Sequence, residues 1–191
     1  PLIHGAPVRN KYNNTQGVID LLIRSDYLSK LININPLTRE EEQIKAPKLN
    51  GNYHYIVIDI KFSTLPLRAD GIHLLNNDKY KFYKTQLYLY TKCISHLQGY
   101  STPYAFILGR RWKYTKQGIP YSGISCLEKL GKIDYKNVDR EYVNKTQLAI
   151  NWRRYLVRNG HNISINPPSC KEVYPNMNHD DGYYNTIKRH I

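Results

Sequence analysis

Runs of apolar residues and their period lay out most of the chain. Gly17-Val18-Ile19-Asp20-Leu21-Leu22-Ile23-Arg24 is β-branched and apolar, broken by one carboxylate, and follows an Asn-Asn-Thr turn signal. It predicts a strand. Upstream, residues 1–16 read as polar and loop-like, with a short strand around 7–9. Residues 26–32 read as a short helix or a continuation of the strand. Residues 33–52 carry Pro36, Pro47 and Asn50-Gly51 and predict an exposed connection ending in a tight turn. Tyr53-His54-Tyr55-Ile56-Val57-Ile58-Asp59-Ile60-Lys61-Phe62 is the strongest strand signal, nearly continuous in apolar residues, as for a central strand covered on both faces.

Residues 63–78 predict a loop. From 78 to 98, Tyr80, Tyr83, Leu87, Tyr90, Ile94 and Leu97 recur at spacings of three and four and predict one helical face, closed by Gly99. Residues 104–108 form a short apolar strand, continued by Gly109-Arg110-Arg111-Trp112-Lys113-Tyr114. Residues 115–137, rich in glycine, read as irregular. Residues 139–159 predict a helix capped by Asp139 and stopped by Gly160. The tail, with Pro167-Pro168, Pro175 and Asp180-Asp181-Gly182, reads as an extension of a core spanning 1–160. A start at Pro1 rather than Met reads as a piece of a longer protein.

Charge changes the picture. Lys and Arg number 28 against 15 Asp and Glu, a formal +13. Such an excess attracts polyanions, nucleic acid first among them. A solvated basic surface is the plainer alternative. No apolar run approaches a bilayer span, and no membrane partner is expected. Cys93, Cys126 and Cys170 are far apart and form no CxxC pair, which excludes a four-cysteine zinc or iron–sulfur site within the chain. The sparse, odd count fits a reducing intracellular compartment.

Against this background Asp20 and Asp59 stand out. A carboxylate in a strand of Val, Ile and Leu is costly unless it is paired or binds metal. Phosphodiester hydrolysis needs an activated water and charge relief on the phosphate, and a bound Mg²⁺ supplies both. Mg²⁺ takes hard oxygen ligands and keeps several waters, so two carboxylates and a backbone carbonyl suffice. Strand alternation puts Asp59 and Lys61 on one face, with the Ile60 carbonyl between them as a further ligand. Read alone, Asp-x-Lys is a same-face ion pair. Within so apolar a strand, with Asp20 upstream, it reads as a metal site whose lysine orients water or steadies the phosphate. Gln86 and Tyr90, four apart, share a helix face. Tyr90 alone reads as a core aromatic. Lys81 and Lys84 read as solvated charges.

The set Gly17-x-x-Asp20, Asp59-x-Lys61, Gln86-x-x-x-Tyr90 resembles the RecB-like branch of the PD-(D/E)XK nucleases, which includes RecB-type exonuclease domains, lambda-exonuclease-like (YqaJ) proteins and CRISPR-associated relatives. The resemblance covers about residues 15–112. It implies an α/β, restriction-endonuclease-like core with a central mixed β-sheet flanked by helices. It implies Asp20 and Asp59 as metal ligands, Lys61 as the catalytic lysine, and Gln86 and Tyr90 as active-site or DNA-positioning residues. The spelling of residues 15–27 is further similar to RecB-like proteins of large DNA viruses, so cytoplasm, nucleus or viral factory are the expected compartments.

Two departures matter. No Asp or Glu precedes Asp20, where relatives often carry a helical acid, and the cysteines of the iron–sulfur members are missing, so no cluster is expected. The expectation is a Mg²⁺- or Mn²⁺-dependent deoxyribonuclease, an exonuclease acting on DNA ends in repair, recombination or replication. By analogy with the family it works beside a fused or associated helicase or primase. The rivals are an inactive nuclease-fold DNA-binding module and an assembly domain of a larger viral protein. Arg110-Arg111-Trp112-Lys113-Tyr114 mixes cations with aromatics, which suits stacking on unpaired bases and equally suits an exposed strand end.

Overall fold

A computed structural model describes residues 1–77 and 80–173. The chain divides into two compact units, Pro1–Leu148 and Ala149–Ile191. The first is an α/β unit built on a mixed sheet flanked by helices. Its strands are β1 (Leu2–Asn10), β2 (Thr15–Arg24), β3 (Tyr55–Pro66), β4 (Tyr104–Lys116), β5 (Ile119–Gly123) and β6 (Gly131–Asp134). The order is β1-β2-β3-β4-β5, with β6 also pairing with β4. Every pairing is antiparallel except β3 with β4. A parallel pair needs a long crossover, and helix α3 (Tyr80–Gln98) lies between β3 and β4 in sequence. The predicted helix start at Asp78 lies outside the described residues.

Alternation along β3 sorts the core into two layers. Val57 joins Ile19, Leu22, Leu87, Ile94, Ala105 and Ile107 on the face covered by α3. Ile56 and Ile58 join Ile23, Leu28, Ile32, Leu37 and Phe106 on the other. There a 3-10 turn (Ser25–Tyr27) and the short helix α1 (Leu28–Leu31) follow β2. Helix α2 (Arg39–Glu42) begins in a reciprocal cap, Thr38 Oγ1 accepting the Glu41 N–H while the Glu41 carboxylate accepts that of Thr38. Buried His54 ties this layer together, with Nδ1 3.0 Å from the Ile44 carbonyl and Nε2 3.0 Å from the Tyr104 hydroxyl. Burial lowers its pKa.

Several elements differ from the sequence reading. β1 extends well beyond residues 7–9. It is an edge strand, where Pro7 costs no ladder hydrogen bond on its open side, and Gly5 takes φ +63° opposite Asp20. At that point alternation along β2 slips, since Ile19 and Leu22 both pack in the layer beneath α3. The stretch 115–137 is not irregular: it holds β5 and β6. At the end of α3 the buried residue is Gln98, while Leu97 is 63% exposed. Gln98 Oε1 accepts the Tyr55 N–H at 2.7 Å, so a side-chain amide takes the place of a strand partner there.

Lys84 is not a solvated charge. It is fully buried, 2.6 Å from Asp139, and donates also to the Leu74 carbonyl and Asn76. Asp139 precedes helix α4 (Arg140–Asn159). Its carboxylate serves Lys84 and the Asp134 N–H rather than capping the helix. The second unit carries the end of α4, where Trp152 and Tyr155 stack at 5.6 Å, and 3-10 turns at Gly160–Asn162 and Lys171–Val173. Pro175 and Asp180-Asp181-Gly182 lie outside the described residues. No helix among the described residues is long and apolar enough to cross a membrane.

Candidate active site

Strands β2 and β3 pair from Arg24↔Tyr55 to Leu21↔Ile58 and then separate. Continued by one residue, the register sets Asp20 opposite Asp59. Both carboxylates therefore sit where the ladder opens. Asp20 Oδ2 accepts the backbone N–H of Ile60 at 2.8 Å, so a side chain holds a donor that a further rung would have used. In an extended residue the N–H and C=O point to the same side. The Ile60 carbonyl therefore faces the side occupied by Asp20.

Asp59 is 2% exposed. Alternation from Val57 places it, with Lys61, on the α3 face. Lys61 Nζ lies 2.6 Å from Asp59 Oδ2, but no donor is aligned on that oxygen as a hydrogen bond. The ion pair is thus close and badly directed. Burial pushes the Asp59 carboxyl above its usual range; the Lys61 ammonium counters this, and the neighbouring Asp20 adds to it. Lys61 Nζ also lies 4.7 Å from the centre of the Tyr83 ring on α3. Tyr83 meets Tyr80 edge-on, and the Tyr80 hydroxyl donates to the Thr64 carbonyl at 2.8 Å. The sequence put Tyr83 only in the apolar stripe. Its role beside Lys61 has no signal in a helical period.

Gln86 and Tyr90 join one another. Gln86 Nε2 donates to the Tyr90 hydroxyl at 2.9 Å. Neither makes a hydrogen bond or ion pair with Asp20, Asp59 or Lys61. Tyr90 instead reaches the site through Gly17: a Cβ there would collide with its ring edge and stand 3.0 Å from its hydroxyl oxygen. The first and third motifs are therefore in contact, three residues before Asp20.

The donor set suits a hard cation. It comprises two carboxylates, one with a buried oxygen lacking an aligned donor, and a carbonyl facing the same side, the hard oxygen donors that Mg²⁺ takes. Among the described residues no cluster of three or more His, Cys, Asp or Glu side chains could hold a metal. Along the strand end Arg110 to Tyr114 the faces change at the irregularity in the β3–β4 register. Trp112 is buried and Tyr114 packs on the core beside it, while Arg110, Arg111 and Lys113 are exposed. No known protein-family model matches the chain, and no curated protein sequence matches it.

Proposed function

We propose that this chain is a PD-(D/E)XK-type nuclease core that hydrolyses DNA phosphodiesters with Mg²⁺ or Mn²⁺ held by Asp20, Asp59 and the Ile60 carbonyl. The observation that carries this reading is the meeting of Asp20 and Asp59 where β2 and β3 part, with Lys61 on Asp59. Two acids with no structural need for each other stand side by side in an apolar sheet, at a cost that cation binding would reverse. When bound, the cation supplies charge relief and a water of lowered pKa. Asp59 holds the Lys61 ammonium on the same face, ready to orient a water or steady the phosphate. Tyr83 confines that ammonium from the helix side. Gln86 and Tyr90, bonded to each other beside Gly17, position the DNA that enters the site.

The mixed sheet, with its acids on two antiparallel neighbours and a helical crossover to a parallel strand, supports a restriction-endonuclease-like core. The net charge of +13 supports DNA as the partner. Exonuclease action on ends, and a fused or associated helicase or primase, follow from the RecB-like resemblance. A second reading has one observation in its favour: the Asp59–Lys61 pair compensates its own charge, as in a fold kept for binding alone.

The test is incubation of linear and covalently closed DNA with Mg²⁺, Mn²⁺ or EDTA, beside Asp59→Ala and Lys61→Ala. Metal-dependent loss of linear DNA alone, abolished in both variants, is expected. Cutting of closed circles would keep the site and change the class to endonuclease. Salt-sensitive binding without cleavage would favour the inactive module.

A further inference from the structure

The residue after Lys61 is out of place for an apolar side chain. Phe62 is 85% exposed, more than any other large apolar side chain among the described residues. The backbone puts it there. Between Lys61↔Gly109 and Thr64↔Arg111, β3 advances three residues while β4 advances two, a bulge at Phe62 and Ser63. Bulges re-aim side chains and recur next to active sites. Arg110 is the β4 residue that faces this bulge. Its guanidinium lies 4.9 Å from the centre of the Phe62 ring, and no carboxylate among the described residues pairs with it. An aromatic ring and an uncompensated planar cation thus stand side by side, one residue along the chain from the proposed catalytic lysine and on the opposite face of the sheet, since Lys61 and Ser63 both turn towards α3.

From this pair we infer that Phe62 and Arg110 form a stacking platform for an unpaired base of DNA bound across this end of the sheet, so that the chain takes single strands or frayed ends in preference to intact duplex. The inference rests on the proposed nuclease reading. Every base offers a π-face to an aromatic ring, and a guanidinium can stack or grip the adjoining phosphate. In a duplex those faces are already covered. A nucleic-acid occupant also fits the charge, since Arg110 and Arg111 are exposed cations and no carboxylate among the described residues pairs with either. Trp112 and Tyr114 cannot serve in this way, because the same strand turns them into the core.

The test is fluorescence anisotropy of labelled single-stranded and blunt duplex oligodeoxynucleotides in EDTA, where nothing is cleaved. Phe62→Ala is expected to weaken single-strand binding roughly five- to a hundredfold and to leave duplex binding within about twofold, since phosphate contacts carry the latter. Phe62→Trp should retain single-strand binding, and Arg110→Lys should lose part of it while keeping its charge. Thermal unfolding unchanged in Phe62→Ala excludes a folding defect. Equal loss on both substrates, no loss on either, or no single-strand binding by the wild-type chain would each overturn the inference. Cleavage by Asp59→Ala is scored separately, so the nuclease reading and the stacking platform can fail independently.

Discussion

Asp20 and the backbone of Ile60 are joined by a 2.8 Å hydrogen bond that bridges two strands past the end of their ladder. The carboxylate therefore has a structural duty and a chemical one, and two substitutions separate them. Asn at position 20 still offers an oxygen to the Ile60 N–H but carries no charge. Ala offers neither. Asp20→Asn is expected to keep wild-type stability, while Asp20→Ala loses about 1 kcal/mol, the usual net worth of such a bond. Ile60 is 43% exposed, so water partly replaces the lost acceptor. Both variants should be inactive. Chemical denaturation beside a cleavage assay reads the difference; equal stability would mean that the bond does not hold the strands.

Gly17 lies against Tyr90 so closely that no side chain fits between them. Gly17→Ala should therefore cost about 1–3 kcal/mol, the range for overpacking. Tyr90→Leu removes the ring edge and hydroxyl, so the double variant should recover most of that loss. A double-mutant cycle in urea measures the coupling. Additive effects would show that Gly17 is required by its backbone alone.

These contacts show what the sequence could and could not convey. Strand β3, helix α3 and helix α4 were legible because burial on one or two faces writes itself as period. Asp20 and Asp59 were legible for the same reason: each interrupts an apolar run. β1 was hidden by Pro7 and Gly5, which only an edge strand tolerates, and β5 by its exposed residues on both faces. Lys84 looked like a surface charge because its partner Asp139 is far along the chain and no period relates them. Tyr83 as a neighbour of Lys61, and Phe62 as an exposed aromatic beside Arg110, were missed for a related reason. One depends on how α3 crosses β3, the other on a bulge, and neither leaves a local pattern.

The buried layer around His54 predicts acid lability. Burial depresses its folded pKa, against a weaker opposing effect of the Ile44 carbonyl. The unfolded chain then binds the proton more readily. The stability that neutral His54 contributes is present above its ordinary value of about 6.5 and is lost as pH falls towards the folded value. One such group gives a slope of up to about 1.4 kcal/mol per pH unit. His54→Gln keeps hydrogen-bonding groups without that titration. Urea melts through this window should be flatter for the variant; parallel slopes would place the titration elsewhere.

Asp59 carries the opposite sign, and this makes metal binding measurable without catalysis. Burial raises its folded pKa, with Lys61 opposing and Asp20 assisting. The stability that its protonation contributes is fully present only below the ordinary aspartate value of about 3.9 and is lost as pH rises through the folded value. At neutral pH and in EDTA the ionised carboxyl is thus a liability. Asp59→Asn should melt above the wild type there, and the gain should vanish in acid. Removing the charge does not strand Lys61, because its side chain is 22% exposed and reaches water once freed. Added Mg²⁺ should reverse the order. A cation bound only by the folded state stabilises by about 2.7 kcal/mol at a hundred times its dissociation constant. That gain needs the carboxylate, so the melting temperature of the wild type should climb with Mg²⁺ while that of Asp59→Asn stays flat. Melting curves of both proteins across a Mg²⁺ series decide the matter: parallel responses would mean that Asp59 holds no cation and that its burial serves only the ion pair with Lys61.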